Sequence, residues 1–165
     1  MRAAWLLLAW SAMAATANAQ WDPSGTVSAQ VLIEIDTTET RRGGGLMVDV
    51  WEPFGVFQLG LAFGIAAINS DNDDTSQILT PVGLSLGVGA RGDALGFRLA
   101  ARGGMWGGAT KSGLEAGGWL SVGGTLDLAL DETVSVGVGL DYWRLWGSFD
   151  RHVIVPALQL VWRLG

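Results

Sequence analysis

TVSVGVGLDYWRLW, residues 133–146, is the stretch from which the fold can be read. Val134, Val136, Val138, Leu140 and Tyr142 alternate with Ser135, Gly137, Gly139, Asp141 and Trp143. A period of two is the mark of an extended strand with one apolar face, whereas a helix would scatter both sets around its axis. The second face is the unusual one. A soluble sheet shows water Lys, Glu and Thr, but here that face is glycine, serine and a carboxylate. Small residues suit a crowded interior, which leaves the apolar face to meet lipid. A strand that crosses a bilayer needs about 9–11 residues, and no sheet edge can stay unpaired in hydrocarbon. The segment therefore calls for enough companions to close a barrel.

Working outward supplies them. On the C-terminal side, 147–151 reads as a loop and 152–164 as a strand, with Leu158, Leu160, Trp162 and Leu164 against Gln159 and Arg163. On the N-terminal side, Asp131-Glu132 is a turn, and 114–130 sets Leu120, Val122, Leu126 and Leu128 against Ser121, Gly123, Thr125 and Asp127. That segment is overlong for one crossing, so Gly117-Gly118 reads as a bulge or part of a loop, and the facing of Trp119 stays open. Residues 106–112 form a glycine-rich loop, and 94–105 is a strand with Leu95, Phe97, Leu99 and Ala101 opposite Gly96, Arg98, Ala100 and Arg102.

Beyond the turn Arg91-Gly92-Asp93, residues 82–90 set Val82, Leu84, Leu86, Val88 and Ala90 against Gly83, Ser85, Gly87 and Gly89. A polar acidic loop, 69–77, precedes them. Residues 56–67 alternate without a slip, Phe57, Leu59, Leu61, Phe63 and Ile65 against Gln58, Gly60, Ala62, Gly64 and Ala66. The turn Pro53-Phe54-Gly55 leads back to 45–52, where Leu46, Val48 and Val50 oppose Met47, Asp49 and Trp51. Past the loop 37–44, the first strand, 27–36, has Val27, Ala29, Val31, Ile33 and Ile35 on one face and Ser28, Gln30, Glu34 and Asp36 on the other. The pattern predicts an all-β chain, an eight-stranded antiparallel up-and-down transmembrane barrel.

Connection lengths agree. Longer polar segments alternate with tight turns at 53–55, 91–93 and 131–132. Short periplasmic turns, long outer loops and an even strand number are the habit of outer-membrane barrels. Aromatics gather near strand ends and predict two interfacial girdles: Trp51, Phe54, Phe57, Phe97 and Trp162 on the turn side, Trp106, Tyr142, Trp143 and Trp146 on the loop side. Trp51, Trp106 and Trp143 fall on the inward phase, so plugging the lumen is their other place.

The chain of 165 residues is 49% hydrophobic and only 16% charged, with Lys111 its sole lysine. A net charge of −6 and no basic cluster exclude a nucleic-acid partner. The absence of cysteine excludes a disulfide framework, a thiolate metal site and lipoprotein acylation. Met1-Arg2, an apolar core over 3–15 and Ala17-Asn18-Ala19 predict a cleaved signal peptide, 1–19, ahead of a barrel domain, 20–165. The apolar run is shorter than the roughly 20 residues a helical span requires. Export without transmembrane helices, in a chain this apolar, predicts the bacterial outer membrane.

With these strands in place the chain resembles the small eight-stranded outer-membrane barrels, of the kind seen in the membrane domain of outer membrane protein A and in the outer membrane protein X group. Those families carry an aromatic residue at or beside the C-terminus within an alternating apolar signal read by the barrel-assembly machinery. Leu158-x-Leu160-x-Trp162-x-Leu164 supplies the alternation, and Gly165 as last residue departs from it. The resemblance implies a monomer whose partners are outer-membrane lipids, lipopolysaccharide and that machinery.

Candidate chemistry is sparse. Gly83-Leu-Ser85-Leu-Gly87 matches a hydrolase nucleophile elbow but lies mid-strand with no helix after it, so Ser85 reads as a lumen filler. Gly87-x-Gly89-x-x-Gly92 matches a dinucleotide fingerprint without its helix. Ser148, Asp150 and His152 deserve weighing because some small outer-membrane barrels edit lipid A with a His and Ser pair. His152 is the only histidine, but strand residues two apart lie about 6–7 Å from each other, too far for a relay, and the His-x-Ser order of the lipid A deacylase family is missing. Asp71, Asp73 and Asp74 lack the glycine and terminal glutamate of a calcium loop.

The inward charges are Glu34, Asp49, Asp127 and Asp141 with Arg98, Arg102 and Arg163. In a narrow interior they must pair, which predicts carboxylate–guanidinium contacts across the lumen. Eight strands leave room for side chains and little else. The sequence therefore predicts an outer-membrane protein with a structural or surface-interaction role and no cofactor, metal or catalysis. The alternatives are a small-solute or ion channel, a lipid A-modifying enzyme using His152, and a secreted soluble barrel of lipocalin type with its faces inverted.

Overall fold

The computed structural model describes residues 23–35, 41–69, 77–110, 113–147 and 150–163. The segment predicted as a signal peptide, Asp36, the carboxylates of the 69–77 loop, Ser148 and the last two residues lie outside them. Eight strands follow in order: β1 (Ser24–Glu34), β2 (Arg42–Phe54), β3 (Phe57–Asn69), β4 (Gln77–Arg91), β5 (Leu95–Thr110), β6 (Gly113–Ala129), β7 (Val134–Gly147) and β8 (Arg151–Arg163). Each pairs antiparallel with the next, and β8 pairs back onto β1 through Gly25↔Trp162, Val27↔Leu160 and Ala29↔Leu158. Closure satisfies both margins of every interior strand, which is what removes the edge problem.

The two faces have the predicted polarity. Leu61, Leu86 and Val136 are 57%, 63% and 38% exposed on the outside, while Arg98 and Asp127 are each 2% exposed within. A soluble barrel with a greasy centre is thereby excluded. Continuous apolar cover of this extent is not tolerated by water and needs a nonpolar partner.

The tight connections obey local chemistry. Phe54 pairs with Phe57 across a two-residue turn, and Gly55 takes φ of 67°, a conformation that side chains disfavour. The β6–β7 turn is held by Asp131, whose carboxylate accepts from the Thr133 amide at 2.7 Å, the Thr133 hydroxyl at 2.8 Å and the Val134 amide at 2.7 Å. These donors hold the exposed Asp131 carboxyl below its ordinary range.

Two sequence expectations are corrected. Residues 106–110, read as loop, continue β5: Trp106 pairs with Gly117 and Ala109 with Leu114. Gly117-Gly118 is not a bulge, because Gly117↔Gly147 and Gly118↔Trp146 keep an unbroken register. The 17-residue β6 is long because it follows β5 to Thr110↔Gly113, four residues past its last described pair with β7, Gly117↔Gly147.

Candidate functional site

The interior divides along the barrel axis. On the turn side and through the middle it is polar. Arg102 donates through Nε to Asp49 Oδ1 at 2.8 Å, through Nη2 to Asp49 Oδ2 at 3.3 Å and through Nη1 to Asp141 Oδ1 at 3.0 Å. One guanidinium from β5 thus ties β2 to β7 straight across the lumen. Ser85 adds a hydrogen bond to Asp49 Oδ1 at 3.2 Å, so the elbow-like serine is fully buried and engaged as a donor. Nearer the turns, Arg98 lies over the Trp51 ring at 4.7 Å, and Asp127 accepts from Gln159 at 2.9 Å. Asp127 and Asp49 are the charges that attract Arg98 most strongly. Arg163 is only half-buried at the turn-side mouth and donates to the Glu132 carbonyl. Glu34 is at the loop side, where Arg151 reaches it at 3.4 Å.

The loop-side half is different. Trp106, Trp119 and Trp143 are each buried inside, packed with Leu32, Ile68, Leu79, Leu145, Val153 and Val155. The Trp119 and Trp143 rings meet at 5.5 Å and 54°, a tilted pair worth about 0.5–1.5 kcal/mol beyond its burial. Trp106 donates to the Trp146 carbonyl at 3.1 Å and Trp119 to the Val82 carbonyl at 3.2 Å, which satisfies two of the four buried indole N–H groups; those of Trp51 and Trp143 have no hydrogen-bond partner among the described residues.

Trp51, Trp106 and Trp143 are therefore corrected from girdle to interior, where each is 1% exposed. The physical reason is room. Inward glycines form seats for them: a Cβ at Gly60 would touch the Trp51 ring at 3.0 Å, one at Gly87 at 3.2 Å, and one at Gly117 would meet Trp106 at 2.7 Å. The girdle members that remain outside are Phe54, Phe57, Phe97 and Trp162 toward the turns and Tyr142 and Trp146 toward the loops.

The expectation that salt pairs and small residues fill the whole lumen fails over much of the loop-side half, which is largely apolar although Glu34 and Arg151 pair there. The dry half announced itself weakly, in runs where both phases are apolar: Val31-Leu32-Ile33, Ile78-Leu79 and Val153-Ile154-Val155. Arg151 was also missed, because it was read as loop when it opens β8 facing inward.

Outside, at the loop-side rim, β7 and β8 bring a second group together. Arg144 donates to Asp150 through Nε at 3.3 Å and Nη2 at 3.1 Å, with both side chains more than half exposed. Arg144 holds the Asp150 carboxyl below its ordinary range. The Tyr142 hydroxyl and His152 Nδ1 share a hydrogen bond, and their rings stack at 5.9 Å. His152 Nε2 stands 4.0 Å from Asp150. Among the described residues, no group of His, Asp and Glu is placed to hold a metal ion.

This geometry defines a small closed eight-stranded barrel of the outer-membrane type, apolar outside and filled within. Neisserial surface protein A superposes on it with a TM-score of 0.74, covering 86% of this chain and 97% of that one at 11% identity. Ail, the attachment invasion locus protein of Yersinia pestis, solved in complex with the heparin analogue sucrose octasulfate, gives 0.56 over 87% and 100% at 13% identity. The outer membrane enzyme PagL gives 0.53 over 84% and 99% at 15% identity. No protein-family model and no curated relative matches the sequence. At such identities the likeness is one of fold, and this fold serves a surface protein and an enzyme alike.

Proposed function

We propose that the chain is exported with a signal peptide over 1–19 and inserts its barrel in the bacterial outer membrane as a structural or surface-interaction protein, without conduction or catalysis. The observation that carries this reading is the pairing of an apolar belt around the exterior with an interior closed twice, by the Arg102 clamp and by the Trp106, Trp119 and Trp143 plug. A solute path would have to displace both. Lipid and lipopolysaccharide are then the surroundings of the apolar wall, and the chain can serve as a monomer because its own strands leave no unpaired seam.

The test is fractionation of the expressed chain with gel mobility before and after boiling. A boiled-only shift in the outer-membrane fraction, an N-terminus at Gln20 and a silent planar bilayer are the expected results. Steady conductance of the intact protein would overturn the non-channel reading, and a detergent-free soluble product would overturn the membrane reading.

One observation favours a second reading, a lipid A-modifying enzyme: the hydrogen bond between Tyr142 and His152 with Asp150 beside the ring. A change in lipid A mass that disappears in His152→Ala would establish it. An unchanged mass in cells with and without the protein would dismiss it.

A further inference from the structure

The loop-side rim holds more than a girdle. Tyr142, Arg144 and Trp146 stand on one outward face of β7, each about 7 Å from the next, with His152 opposite Arg144 on β8 and Gly118 opposite Trp146 on β6. The Trp146 indole lies flat on Gly118, since a methyl group added there would run into the ring. One face of the indole is thus spent on the sheet and the other is presented outward, with Trp146 43% exposed. Beside it the Arg144–Asp150 pair is held in a two-pronged geometry, and Tyr142 is fixed by His152.

We infer that this rim is a binding platform for the sugar headgroup of an outer-leaflet glycolipid, an inference that rests on the outer-membrane reading above. Three features point to a sugar. A flat, exposed aromatic face receives the apolar C–H face of a pyranose ring, and an indole offers the largest such area. The adjacent guanidinium and carboxylate together offer donors and acceptors, which match vicinal hydroxyls because each hydroxyl both donates and accepts. A bare phosphate fits worse: Asp150 already neutralises Arg144, so the group carries no surplus positive charge and a carboxylate would face the anion. Position supplies the source. The face looks outward from the barrel wall at the loop end, next to the exposed apolar Leu120, Val122, Leu140 and Ile154, where acyl chains give way to headgroups.

Trp162 provides an internal control. It lies flat on Gly25 in the same manner, but at the turn end and without an ion pair of this kind described beside it. The experiment uses the refolded barrel in phosphatidylcholine nanodiscs, with lipid A as the glycolipid probe and phosphatidic acid as the phosphate-only probe, and counts bound lipid by native mass spectrometry. Trp146→Ala and Arg144→Gln are expected to weaken lipid A binding at least tenfold, Trp146→Phe to restore most of it, and Trp162→Ala to leave it unchanged. All variants should keep the boiled-only mobility shift, which separates lost binding from lost fold.

Lipid A binding that survives both rim substitutions overturns the platform. An equal loss in Trp162→Ala reduces it to a general girdle effect and also overturns it. Phosphatidic acid binding as well as lipid A, and falling alongside it in Arg144→Gln, assigns the site to phosphate and sinks the sugar assignment. An unaltered chain that fails to enter the nanodisc fails the membrane reading first and takes the platform with it.

Discussion

Replacing Arg102 with methionine tests the logic of the interior most directly. The change keeps most of the stem and removes a guanidinium that makes hydrogen bonds of 2.8, 3.0 and 3.3 Å to Asp49 and Asp141. Taken singly, hydrogen bonds to charged partners are worth about 1.5–3 kcal/mol. They share one group here, and removing one side of a buried pair costs about 3–5 kcal/mol because the partner charge stays behind in a poor solvent. Two carboxylates are stranded by Arg102→Met, so the upper end of that range is expected. The triple variant Arg102→Met, Asp49→Asn, Asp141→Asn removes all the formal charge and should recover most of the loss. Urea unfolding in phosphatidylcholine vesicles, followed by tryptophan fluorescence, measures both. A single variant within about 1 kcal/mol of the parent, the range of a surface pair, would refute the clamp as a cross-barrel tie. So would a triple variant as unstable as the single one.

Leu61→Arg puts a charge on the apolar wall and should cost about 2–4 kcal/mol if the position is near the bilayer centre, read as a lowered urea midpoint in the same vesicles. Trp143→Ala empties part of the loop-side plug and should cost about 3–5 kcal/mol by the same measurement. Asp131→Asn probes the β6–β7 turn through pH. The folded carboxyl is held below its ordinary range by Thr133 and Val134, so its contribution is present at neutral pH and is lost as pH falls through the folded value. The stability gap between parent and variant should therefore be open at pH 7 and close in strong acid. A gap that widens on acidification contradicts the cap.

How far the sequence carried depended on what each residue's neighbours had to be. Facing along β3 was readable because Phe57 to Ile65 alternates with small residues and one wall of the sheet must be apolar. Strand number and the turns at Gly55, Gly92 and Asp131 followed from the same period and from turn chemistry. Arg102, Asp49 and Asp141 could be placed inside, yet which carboxylate Arg102 would reach depends on stagger around the barrel, and alternation within a strand does not encode stagger. Trp106 and Trp143 show a second limit. Composition assigns tryptophan to an interface, but phase assigns these two to the lumen, and only the seats left by inward glycines such as Gly117 decide between them. The rim group was hidden for a third reason: Arg144 and Asp150 belong to different strands and meet only because β7 and β8 are adjacent.

The extension of β6 past its described ladder with β7 has a consequence for how that end of the strand is held. Among the described residues, the ladder between β6 and β7 stops at Gly117, while β6 itself begins at Gly113. Among the described strands, residues 113–116 are held through β5, by Thr110↔Gly113, Ala109↔Leu114, Gly108↔Glu115 and Gly107↔Ala116, so the end of β6 takes its register from a single described neighbour.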